Sequence, residues 1–105
     1  MENNNENTLQ YFTLISSIKS KDKFINLLLE NNAYAIETMY GKSSVNKGFL
    51  AKAFGFDNEE KKIIITCLLP TLKSKEIIEI LKTKYDFGKP NTGIAFTSPV
   101  EGLIF

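Results

Sequence analysis

Lys61-Lys62-Ile63-Ile64-Ile65-Thr66-Cys67-Leu68-Leu69-Pro70 is the stretch from which the fold is read. Seven consecutive residues, 63–69, are apolar or nearly so, which predicts a strand buried on both faces. Pro70 lacks a backbone donor and stops it. Beyond it Ile77, Ile78, Leu81 and Tyr85 recur at the spacing of a helix lying on a sheet, in a helical pattern that runs to about Phe87. Gly88-Lys89-Pro90-Asn91-Thr92-Gly93 then makes a glycine-bounded turn into Ile94-Ala95-Phe96, a last strand. Strand, helix, turn, strand is half of a domain.

Upstream the same plan is written once before. Tyr11 to Ile18 carries the aromatic and β-branched residues of a first strand. Ser20 is placed to cap a helix whose broad apolar face holds Phe24, Leu27 and Leu28, with Ile25 and Leu29 beside them. Asn31-Asn32 ends that helix, Ala33 to Tyr40 is a second strand, and Gly41 closes it. Residues 44–60 form an insert. Asn46 would cap a short helix carrying Phe49, Leu50, Ala53 and Phe54, stopped at Gly55. Residues 1–8 read as a frayed polar tail ahead of a single domain over 9–105, whose last residues, Val100 to Phe105, are apolar and must dock.

Two β-α-β halves predict an α+β fold: a ferredoxin-like βαββαβ sandwich, with one antiparallel sheet and two long helices on one face. The third strand would then set Ile63, Ile65, Cys67 and Leu69 against the helices and Ile64, Thr66 and Leu68 on the other side. Neither set suits open water, so the uncovered face predicts an oligomer.

Composition narrows the functions. The chain has 105 residues, 43% hydrophobic and 24% charged, with a net charge of +1, which offers no field for nucleic acid. It contains neither arginine nor histidine, so bidentate phosphate grips, histidine metal ligands and histidine bases are excluded. With no carboxylate pair either, catalysis has little to work with. Cys67 is alone, so no internal disulfide forms, and as a small core hydrophobe it needs no further role. The acidic, Asn-rich start is not a signal peptide and no run is long enough to insert in a membrane; the expected location is the cytoplasm.

Two segments stand out chemically. Gly41-Lys42-Ser43 looks like the end of a phosphate-binding loop, but that motif needs a glycine where Ile36 stands. What remains is a glycine and a lysine at a strand end. The turn 88–93 brackets a proline and small polar residues between two glycines, a backbone that can cradle an anion. Its plain alternative is a helix stop at Gly88 and a strand entry at Gly93. Lys19, Lys21 and Lys23 crowd the start of the first helix and read as a solvated surface.

Tyr40-Gly41-Lys42-Ser43-Ser44, then Phe49-Leu50 and Phe54-Gly55-Phe56, then Lys89-Pro90-Asn91-Thr92-Gly93-Ile94-Ala95-Phe96 and Pro99-Val100 together resemble the PII-like signalling proteins, short forms related to nitrogen regulatory protein PII. The resemblance implies a homotrimer built on the open sheet faces, no enzyme activity, and an unknown target protein. It implies a small ligand, such as an adenine nucleotide, in clefts between subunits. The cleft would be made of Gly41, Lys42 and Ser43 from one side and Gly88, Lys89, Pro90, Asn91, Thr92 and Gly93 from the other, with 44–60 facing the effector. Three positions depart from the nucleotide-binding pattern: Ser43 and Asn91 stand where glycine is usual, and Ile94 where a phosphate-binding lysine is usual. The C-terminal basic residues of those members have no counterpart. Two other readings compete: a trimeric interaction module without a ligand, and a metal-tolerance protein of the CutA type.

Overall fold

The computed structural model describes residues 8–41, 61–89 and 92–100. The elements are β1 (Leu9–Ser17), a single 3-10 turn (Ile18–Ser20), α1 (Lys21–Glu30), β2 (Tyr34–Gly41), β3 (Lys62–Pro70), α2 (Thr71–Lys84) and β4 (Gly93–Pro99). The four strands form one sheet in the order β2-β3-β1-β4, and every neighbouring pair is antiparallel. This is the ferredoxin-like α+β arrangement that the two repeated halves predict. The predicted helix in 44–60 and the docking of 101–105 lie outside the described residues.

The register decides which residues share a face. Gln10, Phe12, Leu14 and Ser16 of β1 pair with Leu69, Cys67, Ile65 and Ile63 of β3. The apolar members of this set, Phe12, Leu14, Ile63, Ile65, Cys67 and Leu69, join Phe24 and Leu28 of α1 and Ile77 and Leu81 of α2, with Phe87 beyond them, in one buried cluster. Both helices therefore pack on the same side. Each large apolar side chain buried there contributes about 1.5–3 kcal/mol. The opposite side carries Ile64, Thr66 and Leu68 of β3, half-buried, with Tyr11, Tyr34, Met39 and Phe96 exposed around them.

Helix ends are where the sequence reading is corrected. Ser20 makes no side-chain cap; Ser17, ahead of the 3-10 turn, accepts from the Lys19 amide instead. So β1 ends at Ser17, and Ile18 already belongs to the turn. Asn32 does stop α1. At φ 67° it lets its own amide reach the Leu29 carbonyl and the Ala33 amide the Leu28 carbonyl, at 3.2 and 3.1 Å. That is the paired bonding of a Schellman cap. Helix α2 ends at Lys84, before Phe87, and its left-handed stop is Asp86 (φ 62°), not Gly88. Asp86 turns the chain so that the Phe87 amide bonds the Leu81 carbonyl at 2.9 Å. The start of α2 has no side-chain cap either, and the Thr71 amide is satisfied by the Thr8 carbonyl at 3.0 Å. Deeper in, the buried Ser74 hydroxyl sits 2.6 Å from Gln10 Oε1 and 2.9 Å from the Thr71 carbonyl, and can donate to either.

Strand β2 holds an irregularity with no sequence signal. Tyr34 pairs with Leu68 but Glu37 with Thr66, so β2 carries one extra residue there. Ala35 takes φ 53° at this bulge. The extra residue keeps Tyr34, Glu37 and Met39 on the open side and returns Ile36 to the core.

Candidate functional site

Gly41 is the last residue of β2 and pairs with Lys62, which pairs in turn with Ser17 of β1. One row inward, Tyr40, Ile63, Ser16 and Gly93 line up across all four strands. Gly41 and Gly93 therefore sit at the same end of the sheet, on its two opposite edges. Three strand spacings separate those edges, about 14 Å. One chain does not bring the two segments together. Of the residues read as a ligand site, Gly41, Gly88, Lys89, Thr92 and Gly93 are described; Lys42, Ser43, Pro90 and Asn91 lie outside the described residues.

The turn has its own internal logic. The Lys89 amide donates to the Asp86 carbonyl at 3.1 Å, closing a four-residue turn in which Gly88 (φ 103°) holds the third position. A left-handed residue is required there, and glycine supplies it without strain. The Lys89 amide is thus already satisfied within the turn. The Lys89 ammonium lies 3.5 Å from Asp86 Oδ1, an exposed pair of small energetic weight. Gly93 has a packing reason. A Cβ added there would sit 2.4–2.8 Å from three atoms of the Phe87 ring. Phe87 can lie flat on the start of β4 only because that residue has no side chain. Its ring also meets Phe24 edge-on at 5.5 Å, so the turn is pinned to the core.

Beside the turn is a cavity of about 190 Å³ between α2 and β4. Ile78, Leu81, Phe87, Ile94 and Ala95 line it, with the two glycines 88 and 93, and Lys82 is its one charged lining residue among the described residues. Ile94, the residue that stands where a phosphate-binding lysine is expected, borders the cavity, but it pairs with Ile15 and shares the open face of the sheet with Phe96.

Two of the three lysines read as solvated, Lys21 and Lys23, have specific partners. The Lys21 ammonium is 5.6 Å from the centroid of the Tyr40 ring, next to Gly41. Their mutual hydrogen bond, with the attraction between the charges, holds the Lys21 pKa above its usual value and that of Tyr40 below. Lys23 lies 4.9 Å from the Tyr85 ring centroid and 5.2 Å from that of Phe24. Contacts of this kind are weakly stabilising at exposed sites. They offset part of the unfavourable placement of cations at a helix start. Sequence spacing carries no sign of the Lys21–Tyr40 pair, because it joins two elements. Cys67 is buried, and burial pushes its thiol up to about 11, which keeps it protonated and inert. Among the described residues no three of Cys, Asp and Glu gather as a metal site, and no helix is long and apolar enough to cross a membrane.

Solved structures share this architecture. CPII from Thiomonas intermedia K12, a nitrogen regulatory PII-like protein bound to ADP, AMP and acetate, superposes with a TM-score of 0.67 at 14% identity, covering 88% of this chain and 85% of that one. A PII-like signalling protein from Thermus thermophilus gives 0.65 at 15%, over 88% and 86%. The chain has the PII-like fold. GlnK of B. subtilis, in complex with ATP, is also similar, with a TM-score of 0.53 at 13% identity over 89% and 84%. No family model matches the sequence, and no curated protein does. The fold predicted from the resemblance is thus observed at an identity where sequence comparison alone is silent.

Proposed function

We propose that this protein is a non-catalytic regulator of the PII-like kind, assembled as a trimer through the open face of its sheet. A small polar or anionic ligand lies between residues 41–43 of one copy and 88–93 of another, and the assembly acts on a partner protein in the cytoplasm. The observation that carries this is the placement of Gly41 and Gly93 at one end of the sheet but on opposite edges. Only a second copy can close a site from both. Support for the assembly comes from the open face, where Tyr11, Tyr34, Met39 and Phe96 are all more than 40% exposed. Support for a nucleotide comes from the neighbours, since CPII binds ADP and AMP, and GlnK binds ATP.

Ile94 and the satisfied Lys89 amide weaken any phosphate grip, so affinity for a nucleotide is modest. A micromolar dissociation constant requires about 8 kcal/mol. Lysines act as flexible point charges, so contact with the apolar wall has to supply part of that. Calorimetry with ADP and AMP, on wild type and on Lys42→Ala with Lys89→Ala, tests the assignment. Binding that weakens in the double variant supports it; equal binding moves the site elsewhere. If neither nucleotide binds, a trimeric module without a nucleotide ligand becomes the better account.

A further inference from the structure

We infer that the α2–β4 cavity is a binding site for a small amphipathic monocarboxylate, with an apolar body of about one ring seated against Ile78, Leu81 and Ala95 and its carboxylate at Lys82. The inference rests on the proposed reading that the turn side of β4 is where this protein meets its ligand. It adds a second site, within one copy, distinct from the between-copy cleft.

Three observations lead there. First, size: the cavity measures about 190 Å³. A site of about 150 Å³ lined by Leu, Ile and Phe holds one benzene, whereas sites for larger drug-sized ligands run from about 300 Å³ upward. One ring with a short side arm fits that volume. Second, chemistry: the side chains of the wall are hydrocarbon apart from Lys82, so an apolar body is favoured and a hydrophilic ligand is not. Third, charge: Lys82 supplies the one cation of the described lining. It is one helical turn beyond Ile78, on the same side of α2. Its partner Glu79 is 3.8 Å away, does not line the cavity, and forms an exposed pair that holds the lysine loosely. A carboxylate arriving with an apolar anchor can displace it.

The cavity has a built rather than accidental shape. Phe87 forms one end, held by the Phe24 ring and by the missing side chain at Gly93. Ala95, which pairs with Leu14 on the helix side of the sheet, completes the wall opposite α2.

The test is methyl NMR of the full-length protein, following Ile78 and Leu81 during titration with phenylacetate and, as the neutral control, phenylacetamide. Saturable shifts of both methyls with phenylacetate are expected, with affinity about fivefold above the amide, the ratio that one exposed charge contact supplies. Lys82→Met keeps the helix and the hydrocarbon stem and should remove that preference. Ala95→Leu fills the cavity and should abolish the shifts; its folded state is checked from the remaining methyl spectrum, and Lys82→Met decides the matter if it does not fold. Absence of any shift at about 10 mM phenylacetate, well above the weakest useful dissociation constant of about 1 mM, overturns the inference. Equal binding of acid and amide overturns it too. An adenine nucleotide that perturbs the Gly88 and Gly93 amides but the methyls of neither Ile78 nor Leu81 also counts against it, while leaving the between-copy cleft intact. Phenylacetate binding to a chain that stays monomeric supports the cavity and removes the cleft.

Discussion

The two faces of β3 are almost equally apolar in sequence and very different in the folded chain. On the helix side Ile63, Ile65 and Leu69 are fully buried and Cys67 nearly so. On the other side Ile64, Thr66 and Leu68 stay half-buried, in a field of exposed Tyr11, Tyr34, Met39 and Phe96. The first face holds the subunit together. The second carries more hydrocarbon than a solvated sheet needs, and that surplus is what an assembly would use.

Truncation should separate the faces most sharply. Ile65→Ala leaves a cavity in a tightly packed site, and is expected to cost about 2–5 kcal/mol in urea unfolding. Ile64→Ala, measured at a concentration where chains are dissociated, should cost clearly less. Equal losses would mean that both faces serve the subunit alike.

Gly93→Ala comes next. The new methyl meets the Phe87 ring, and the expected loss is about 1–3 kcal/mol, as for overpacking elsewhere. Phe87→Leu in the same chain should recover part of it. A neutral Gly93→Ala would show that the ring does not rest on β4, and the α2–β4 cavity would lose its end wall.

Cys67 reports on the same buried face through pH. Its folded thiol is raised from 9.0 to about 11, so the folded state keeps a proton that the unfolded chain releases. The resulting contribution is whole below pH 9 and is lost as pH rises from 9 towards about 11, with a slope of up to about 1.4 kcal/mol per pH unit. Cys67→Ala should flatten that part of the stability profile. An unchanged profile would mean that the thiol is not buried as described.

The smallest expected effect is on the edge of the open face. Ala35 sits at φ 53°, a conformation that costs an L-residue roughly 1 kcal/mol and glycine almost nothing. Ala35→Gly should therefore stabilise the chain by up to about 1 kcal/mol, an uncommon sign for such a change. Destabilisation would indicate that β2 runs without the bulge.

Much of this architecture is legible in the sequence, and the limits have physical causes. Patterns with a strong period translate directly: the continuous apolar run 63–69 and the spacing of Ile77, Leu81 and Tyr85 depend on burial, which sequence records. The ends are harder. Gly88 looks like the helix stop because glycine suits a left-handed residue, yet Asp86 takes that role and Gly88 serves the following turn. The bulge at Ala35 has no marker, because alanine has no preference for such a backbone. For the candidate site, Gly41 and the turn follow from strand ends and glycines, but their placement on opposite edges requires the strand order. The cavity and the Lys21–Tyr40 pair join residues far apart in sequence, so no local spacing reveals them. The role of Gly93 as the seat of the Phe87 ring is hidden because it, too, depends on how the turn folds back.

The central claim is that the open face of the sheet is an assembly surface, and sedimentation equilibrium tests it most directly. At micromolar concentration the wild-type chain should show three times its 11.9 kDa monomer mass. Phe96→Glu, which sets a charge on that face, should show the monomer mass with its far-ultraviolet spectrum unchanged. A wild-type mass of 11.9 kDa would contradict the account, and so would a Phe96→Glu chain that remains trimeric.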